Sequence, residues 1–247
     1  MLYKTQAIIL NAYNFGDTSL ICNLFSKEFG KLSIISKGAR TIKNPNKALL
    51  QPMHNVDIEY YYKPKRKMQI LKETAINNHF FNLKKNLKKM SYAYLALDIL
   101  NHISQTDNPC HIIFRLINKF LEKLNQCGES EVELYFMFFQ LQLLNYLGFA
   151  PNLDYCFHCN KKLKSAVYDI RDGYLICNNC QLSSNAFIKL NSDAMVTIHL
   201  LNITHINSLN QKRLIKKEFQ SIKNYLDYAI NYSICNIKKL KAYQFTL

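Results

Sequence analysis

Four cysteines carry the clearest chemistry in this chain. Cys156 and Cys159 form one C-x-x-C pair and Cys177 and Cys180 a second, with seventeen residues between the pairs. Two residues between cysteines let a tight turn aim both sulfurs at one ion, and the excursion around Gly173 is long enough for a hairpin to return the second pair. Four thiolates at about 2.3 Å close a tetrahedron and leave no open position, so the ion expected is a structural Zn2+, one per chain. His158, inside the first knuckle, is the weaker alternative ligand. The other readings are cysteines that bind nothing, or disulfides, the latter disfavoured if the chain is cytoplasmic, as its lack of a visible signal peptide leads us to expect. Cys22, Cys110, Cys127 and Cys235 are scattered through apolar segments and read as small core residues.

The second chemistry is cationic. Lys and Arg number 32 against 17 Asp and Glu, a net charge of +15. Residues 1–80 hold 12 of the cations and 5 of the acids, so the first third of the chain carries +7. Two groups stand out there: Lys37, Arg40, Lys43 and Lys47, then Lys63, Lys65, Arg66 and Lys67. Such clusters neutralise phosphates and release condensed counterions, which makes nucleic acid the leading partner class. Lys212, Arg213, Lys216 and Lys217 form a weaker, secondary cluster. Tyr60, Tyr61 and Tyr62 lie close to the second group; one of them must face a core, and any that do not could stack on bases. The competing reading is compositional, since Lys, Asn and Ile are abundant throughout.

Other chemistries lack their residues. There is no phosphate-binding G-x-x-x-x-G-K-[ST], no G-x-S-x-G and no H-E-x-x-H, and six glycines are few for nucleotide-cradling loops. The acids are too scattered to converge on two metal ions. We therefore expect no enzyme activity. No apolar run approaches the roughly 20 residues of a membrane span, so no membrane association is expected.

The elements that must hold these groups change character near residue 78. Before it, apolar residues alternate in five short blocks, Thr5 to Tyr13, Ser19 to Phe25, Lys31 to Ser36, Asn55 to Tyr62 and Gln69 to Ala75. Five antiparallel strands with a long connection after the third predict an oligonucleotide-binding barrel over residues 1–78. Both basic groups then fall on its loops. Residues 79–247 predict an α-helical domain. Amphipathic helices are expected over Asn82 to Ile103 and Cys110 to Gln126, the latter preceded by a cap at Asp107 or Asn108 and by Pro109. A nearly all-apolar helix follows over Glu129 to Leu147; it must be buried, or else offer its Phe and Met side chains as a docking groove. Further helices are expected over Leu190 to Leu201 and from Lys212 to Ile234, with a poorly ordered tail. The cysteine module, at about residues 154–182, hangs from Gly148 at the end of the apolar helix. Its clustered charges are Lys161, Lys162 and Lys164, so it reads as a structural clasp rather than a nucleic-acid reader. The fold class is thus multidomain α+β: a five-stranded barrel, then a helical domain with a zinc module.

Two blocks resemble a known family. K-T-Q-A-I-I-L-N-A-Y-N-F-G-D-T-S-L-I-C-N-L-F-S-K-E-F-G-K-L-S-I-I-S-K-G-A-R, followed by L-L-Q-P-M, is similar to the N-terminal barrel of the bacterial RecO recombination mediators. L-G-F-A-P-N-L-D-Y-C-F-H-C with C-N-N-C resembles their zinc module, and the two blocks lie in the family's order along essentially the whole chain. The resemblance implies a non-enzymatic protein of DNA repair and recombination, cytoplasmic and nucleoid-associated, that binds single- and double-stranded DNA and anneals complementary strands. It implies work with RecR in loading RecA onto DNA coated by single-stranded-DNA-binding protein, whose C-terminal tail docks in a helical-domain pocket that no motif here marks. K-G-A-R aligns at Lys37, Gly38, Ala39 and Arg40, where the family's barrel meets DNA. Asn160 departs from the glycine usual after the second cysteine. The alternative function is a zinc-containing transcriptional regulator reading duplex DNA, which needs an element for the major groove; a pure protein-docking scaffold is a third.

Overall fold

The computed structural model describes residues 1–104, 110–181, 186–211 and 218–246. The expected cap at Asp107 or Asn108, Pro109, and the cluster Lys212, Arg213, Lys216 and Lys217 lie outside the described residues. Two compact units emerge, Met1–Gln126 joined by the last residues from Phe245, and Cys127–Gln244.

The first unit is built on a closed barrel. Its strands are β1 (Leu2–Phe15), β2 (Ser19–Ser26), β3 (Gly30–Ser36), β4 (Asn55–Tyr61) and β5 (Gln69–Asn78), in the order β1-β2-β3-β5-β4. This is the oligonucleotide-binding topology. β1 is long enough to serve both halves, pairing Leu2 through Ile8 with β4 and Ala7 through Phe15 with β2, with an irregularity between Ile9 and Asn11 that bends it. One expectation needs correction: the strands are not all antiparallel. β3 and β5 run parallel, Ile34 beside Gln69 and Ile35 beside Ile70, because a five-stranded barrel with this connectivity can close only by laying the last strand alongside the third.

Period-two alternation fills the barrel. Ile9, Leu20, Cys22, Leu24, Leu32, Ile34, Val56, Ile58, Tyr60 and Leu71 point inward and are buried, each contributing about 1.5–3 kcal/mol through removal from water for the larger side chains. The outward residues Ile8, Ile21 and Phe25 are buried too. The helices α2 (Leu87–Ile103) and α3 (His111–Gln126) lie against part of this outer surface: the Phe25 and Phe114 ring centroids are 6.3 Å apart, and Lys31 Nζ donates to the Asn101 carbonyl at 2.9 Å. α2 begins later than the periodicity predicts. Asn86 accepts from the Lys89 N–H as its N-cap, and Leu83–Lys85 forms a separate 3-10 turn. Between β3 and β4 the long connection holds one short helix, α1 (Asn46–Leu49).

In the second unit α4 (Val132–Leu147) is central, preceded by a 3-10 turn at Glu129–Glu131. Phe136, Met137, Phe138 and Phe139 are all buried, which removes the docking-groove reading of its aromatic surface. Gly148 ends it at φ 76°, with the Phe149 N–H returning to the Leu144 carbonyl. A three-stranded sheet follows, β6 (Ala166–Asp169) between β7 (Leu175–Ile176) and β8 (Phe187–Leu190), then α5 (Ser192–Ile203) capped by Asn191, and α6 (Phe219–Ser233). β8 was not expected from the sequence. The C-terminal segment is also not loose: two 3-10 turns, Ile237–Lys239 and Lys241–Phe245, bury Ile237 and Tyr243. Tyr243 Oη donates to buried Asp227, which also accepts from Gln140 Nε2 of α4 and pairs with Lys223 at 3.2 Å. A carboxylate in that interior is tolerable because three donors meet it.

Candidate nucleic-acid interface and metal centre

The turn between β4 and β5 is closed by a side chain that motif reading missed. Gln69 is buried; its Oε1 accepts from the Lys63 N–H at 3.0 Å, and its Nε2 donates to the Lys63 and Arg66 carbonyls at 3.3 and 2.9 Å. Pro64 fixes one turn residue, and Lys65 takes a left-handed backbone, φ 65°. With the Lys63 and Arg66 backbone groups held in this way, the turn leaves Lys63, Lys65, Arg66 and Lys67 around a cavity of about 370 Å³ that Leu32, Ser33 and Tyr62 also line. Of the three neighbouring tyrosines, Tyr60 is the buried one, Tyr61 is half exposed, and Tyr62 packs edge-on against Tyr3 while bordering the cavity.

The segment after β3 is held differently. Gly38 sits at φ 67°, a conformation unstrained for glycine, and its carbonyl accepts from both the N–H and the Oγ1 of Thr41. Ala39 is buried, and Arg40 is tied to the β1–β2 turn: its N–H donates to Thr18 and its Nη1 to the Gly16 carbonyl at 3.1 Å. Lys37, Lys43 and Lys47 stay exposed. At the same turn Tyr13 and Phe15, at the end of β1, are 49 and 48% exposed. They were not singled out from the sequence, where their alternation reads only as strand.

The two basic groups are therefore on the same barrel but not together. Parallel pairing sets the β4–β5 turn near Leu32 and Ser33, whereas Lys37 follows the far end of β3, four residues or roughly 13 Å further on. Their electrostatic state is shared. Lys4 and Lys72 are engaged with Glu59 at 2.8 and 2.6 Å, and Lys27 lies 3.9 Å from Glu28. None of the eight cations of the two groups has an acidic partner among the described residues.

In the second unit the four cysteine sulfurs converge. All lie within 4.8 Å of one another, with Cys159 and Cys177 at 3.6 Å. A tetrahedron with 2.3 Å metal–sulfur bonds has edges of roughly 3.8 Å, so the set fits one ion. The group comprises the cysteines and not His158, whose ring packs edge-on against Phe157 at 5.6 Å. Local backbone bonds build each knuckle: the Cys156 N–H donates to Lys161, the Asn160 N–H returns to Cys156, and the Cys180 N–H to Cys177. Asn160 takes φ 55°, the left-handed value that a glycine would hold without strain and that asparagine tolerates. Burial pushes the Cys156 thiol up, but N–H groups of Cys159, Cys177 and His158 around its sulfur outweigh that and hold it at about 6. Hydrogen bonds with the Cys159 and Cys177 sulfurs push Cys180 up to about 12. A cation bound by the four sulfurs would displace the protons they carry. Cys22, by contrast, is a core thiol pushed up to about 12 by burial, whereas Cys110, Cys127 and Cys235 are only half-buried.

Residues 1–80 match the family described as Recombination protein O N terminal, and residues 84–241 match Recombination protein O C terminal. The chain belongs to the recombination protein O family. Its relatives include a DNA repair protein RecO from Chloroherpeton thalassium, 27% identical over 244 residues and 94% of each chain. One from Alkaliphilus metalliredigens is 27% identical over 232 residues, 94% of this chain and 90% of the other. A third, from Salinibacter ruber, is 33% identical over 153 residues, 62% of this chain and 58% of its own. Within the recombination protein O family the barrel and the four-cysteine cluster each fall inside one matched region. Among the described residues no helix is long and apolar enough to cross a membrane.

Proposed function

We propose that this chain is a non-enzymatic DNA-binding mediator of recombinational DNA repair. It binds single- and double-stranded DNA without reading sequence, anneals complementary strands, and with RecR helps load RecA onto DNA coated by single-stranded-DNA-binding protein. The observation that carries the DNA-binding step is the contrast among barrel cations: Lys4 and Lys72 serve a carboxylate, while the two loop groups hold charges with no acidic partner. Such charges are free to exchange counterions for phosphates. Lys37, Arg40, Lys43 and Lys47 after β3 and Lys63, Lys65, Arg66 and Lys67 between β4 and β5 are the assigned contacts, with residues 1–78 as the binding domain. The four cysteines hold one Zn2+, whose role is to fasten the module rather than to react. The transcriptional-regulator alternative gains no support from the family match.

Annealing of complementary oligonucleotides coated by the cognate single-stranded-DNA-binding protein tests this reading. The wild-type chain accelerates annealing, and a Lys63→Ala/Lys65→Ala/Arg66→Ala/Lys67→Ala variant of unchanged thermal stability slows it at least about tenfold. Undiminished annealing by that variant and by Lys37→Ala/Arg40→Ala would remove the barrel from the mechanism.

A further inference from the structure

The cysteine module exposes more aromatic surface than a purely structural clasp needs. Phe157, between the first two cysteines' knuckle positions, is 57% exposed, Tyr155 46% and Tyr174 37%. Phe157 and Tyr174 are stacked, with ring centroids 3.6 Å apart and planes within 3°. The stack is fixed from below, because the Phe157 N–H donates to the Leu175 carbonyl of β7 at 3.0 Å. One face of Phe157 is thus spent on Tyr174, the His158 ring stands edge-on to it at 5.6 Å, and the ring still keeps 57% of its surface in solvent, available to a further planar group. Tyr155 stands two residues earlier on the same ribbon, bridged to Lys162, and the Cys156 N–H donates to Lys161. Lys161, Lys162 and Lys164 are exposed and have no acidic partner among the described residues.

We propose that this surface is a second single-stranded nucleic-acid contact, in which Phe157, backed by Tyr174, and Tyr155 stack on bases while Lys161, Lys162 and Lys164 meet phosphates. The inference rests on the nucleic-acid reading above but uses different residues, in a different compact unit. A ring held in a stack loses little conformational freedom when a base joins it, which makes such rings good platforms. The occupant follows from the pairing of open aromatic faces with free cations; an apolar peptide would not use the three lysines. Asp154, exposed on the same ribbon, offsets part of that charge. With three lysines here against eight cations on the barrel loops, this contact is less sensitive to salt than they are.

Fluorescence anisotropy on the full, metal-loaded chain separates the two contacts. The probes are a labelled oligo-dT and an abasic oligomer of equal length and charge. Tyr155→Ala/Phe157→Leu, which keeps an apolar side chain over Tyr174, weakens oligo-dT binding roughly tenfold and leaves abasic binding within twofold. Phe157→Tyr behaves as wild type. Oligo-dT binding within twofold of wild type, or equal losses for both probes, overturns the proposal. A Lys65→Ala/Arg66→Ala variant is the control for the barrel: if it binds both probes like wild type while the aromatic variant loses oligo-dT, the barrel reading fails and this one stands. The reverse pattern removes the aromatic platform alone.

Discussion

His54 lies buried just before β4, its Nδ1 2.8 Å from the Leu49 carbonyl and its ring edge-on to His79 at 5.0 Å. Burial lowers its pKa; the Leu49 carbonyl opposes this, and Lys84 and His79 add to the lowering. The unfolded chain takes up this proton near the ordinary histidine value of about 6.5, before the native chain does. Stability from His54 is therefore full above that pH and falls as pH drops through it toward the native pKa. Thermal melts from pH 7.5 to 5 should show this acid loss, and His54→Gln should flatten it. Gly173 is a second single position with a measurable consequence. It sits at φ 75°, and a Cβ there would come 2.6 Å from Tyr232 Cε1. Gly173→Ala should cost about 2 kcal/mol, part from the left-handed backbone and part from the ring. Tyr232 is exposed, so adding Tyr232→Ala should recover only the second part in a chemical denaturation cycle. Neither effect is readable from residue type: a histidine and a glycine were visible, but His79 and Lys84 beside the one and Tyr232 beside the other come from distant segments.

Among the elements, the cysteine module depends on all four sulfurs, since each C-x-x-C turn supplies only half a tetrahedron. Cys177 would serve twice, as one of the four proposed ligands and through its N–H, which donates to Cys156 Sγ at 3.2 Å. Cys177→Ser should reduce bound zinc from about one per chain to well below that by elemental analysis, and lower Tm by several degrees, because metal affinity here is folding free energy. The spacing of the cysteines was enough to foresee the cluster, since local sequence separation fixes the knuckle geometry. β8 was not foreseeable. F-I-K-L is too short to show a period, and it becomes a strand only because β6 offers it an edge. The same limit explains Gln140. In a helix read as almost wholly apolar it meets Asp227, 87 residues later, a partner that periodicity cannot supply. Strand blocks in the barrel were legible because alternation is local; the parallel closure of β3 on β5 was not, because it is a property of the whole connection.

On the scale of the molecule, the proposed phosphate contacts set how affinity responds to ions. On single strands the slope of log K against log salt is about −0.7 per neutralised phosphate. Removing Lys65 and Lys67 together should therefore make the slope shallower by roughly 1.4 if each meets one phosphate, with no change in preference between random sequences. Titrations of one oligonucleotide at four or five salt concentrations measure this, and an unaltered slope would mean that these lysines face water. The basic composition alone left this open, because a biased composition gives the same net charge. What distinguishes the barrel is the placement of Glu59 and Glu28, which engage Lys4, Lys72 and Lys27 and leave the loop cations without an acidic partner among the described residues.

The parallel closure of the barrel has a consequence for ligation. From β3 through β2, β1 and β4 to β5 the ladder is continuous and antiparallel, and only Ile34 with Gln69 and Ile35 with Ile70 join its two ends. The barrel is thus a rolled ribbon with a short seam. One basic segment follows the first seam strand, and the other precedes the second. A polyanion lying across both segments, as proposed, would staple the seam, so that ligand occupancy and barrel closure would be linked by mass action and the bound strand would in turn hold the barrel shut.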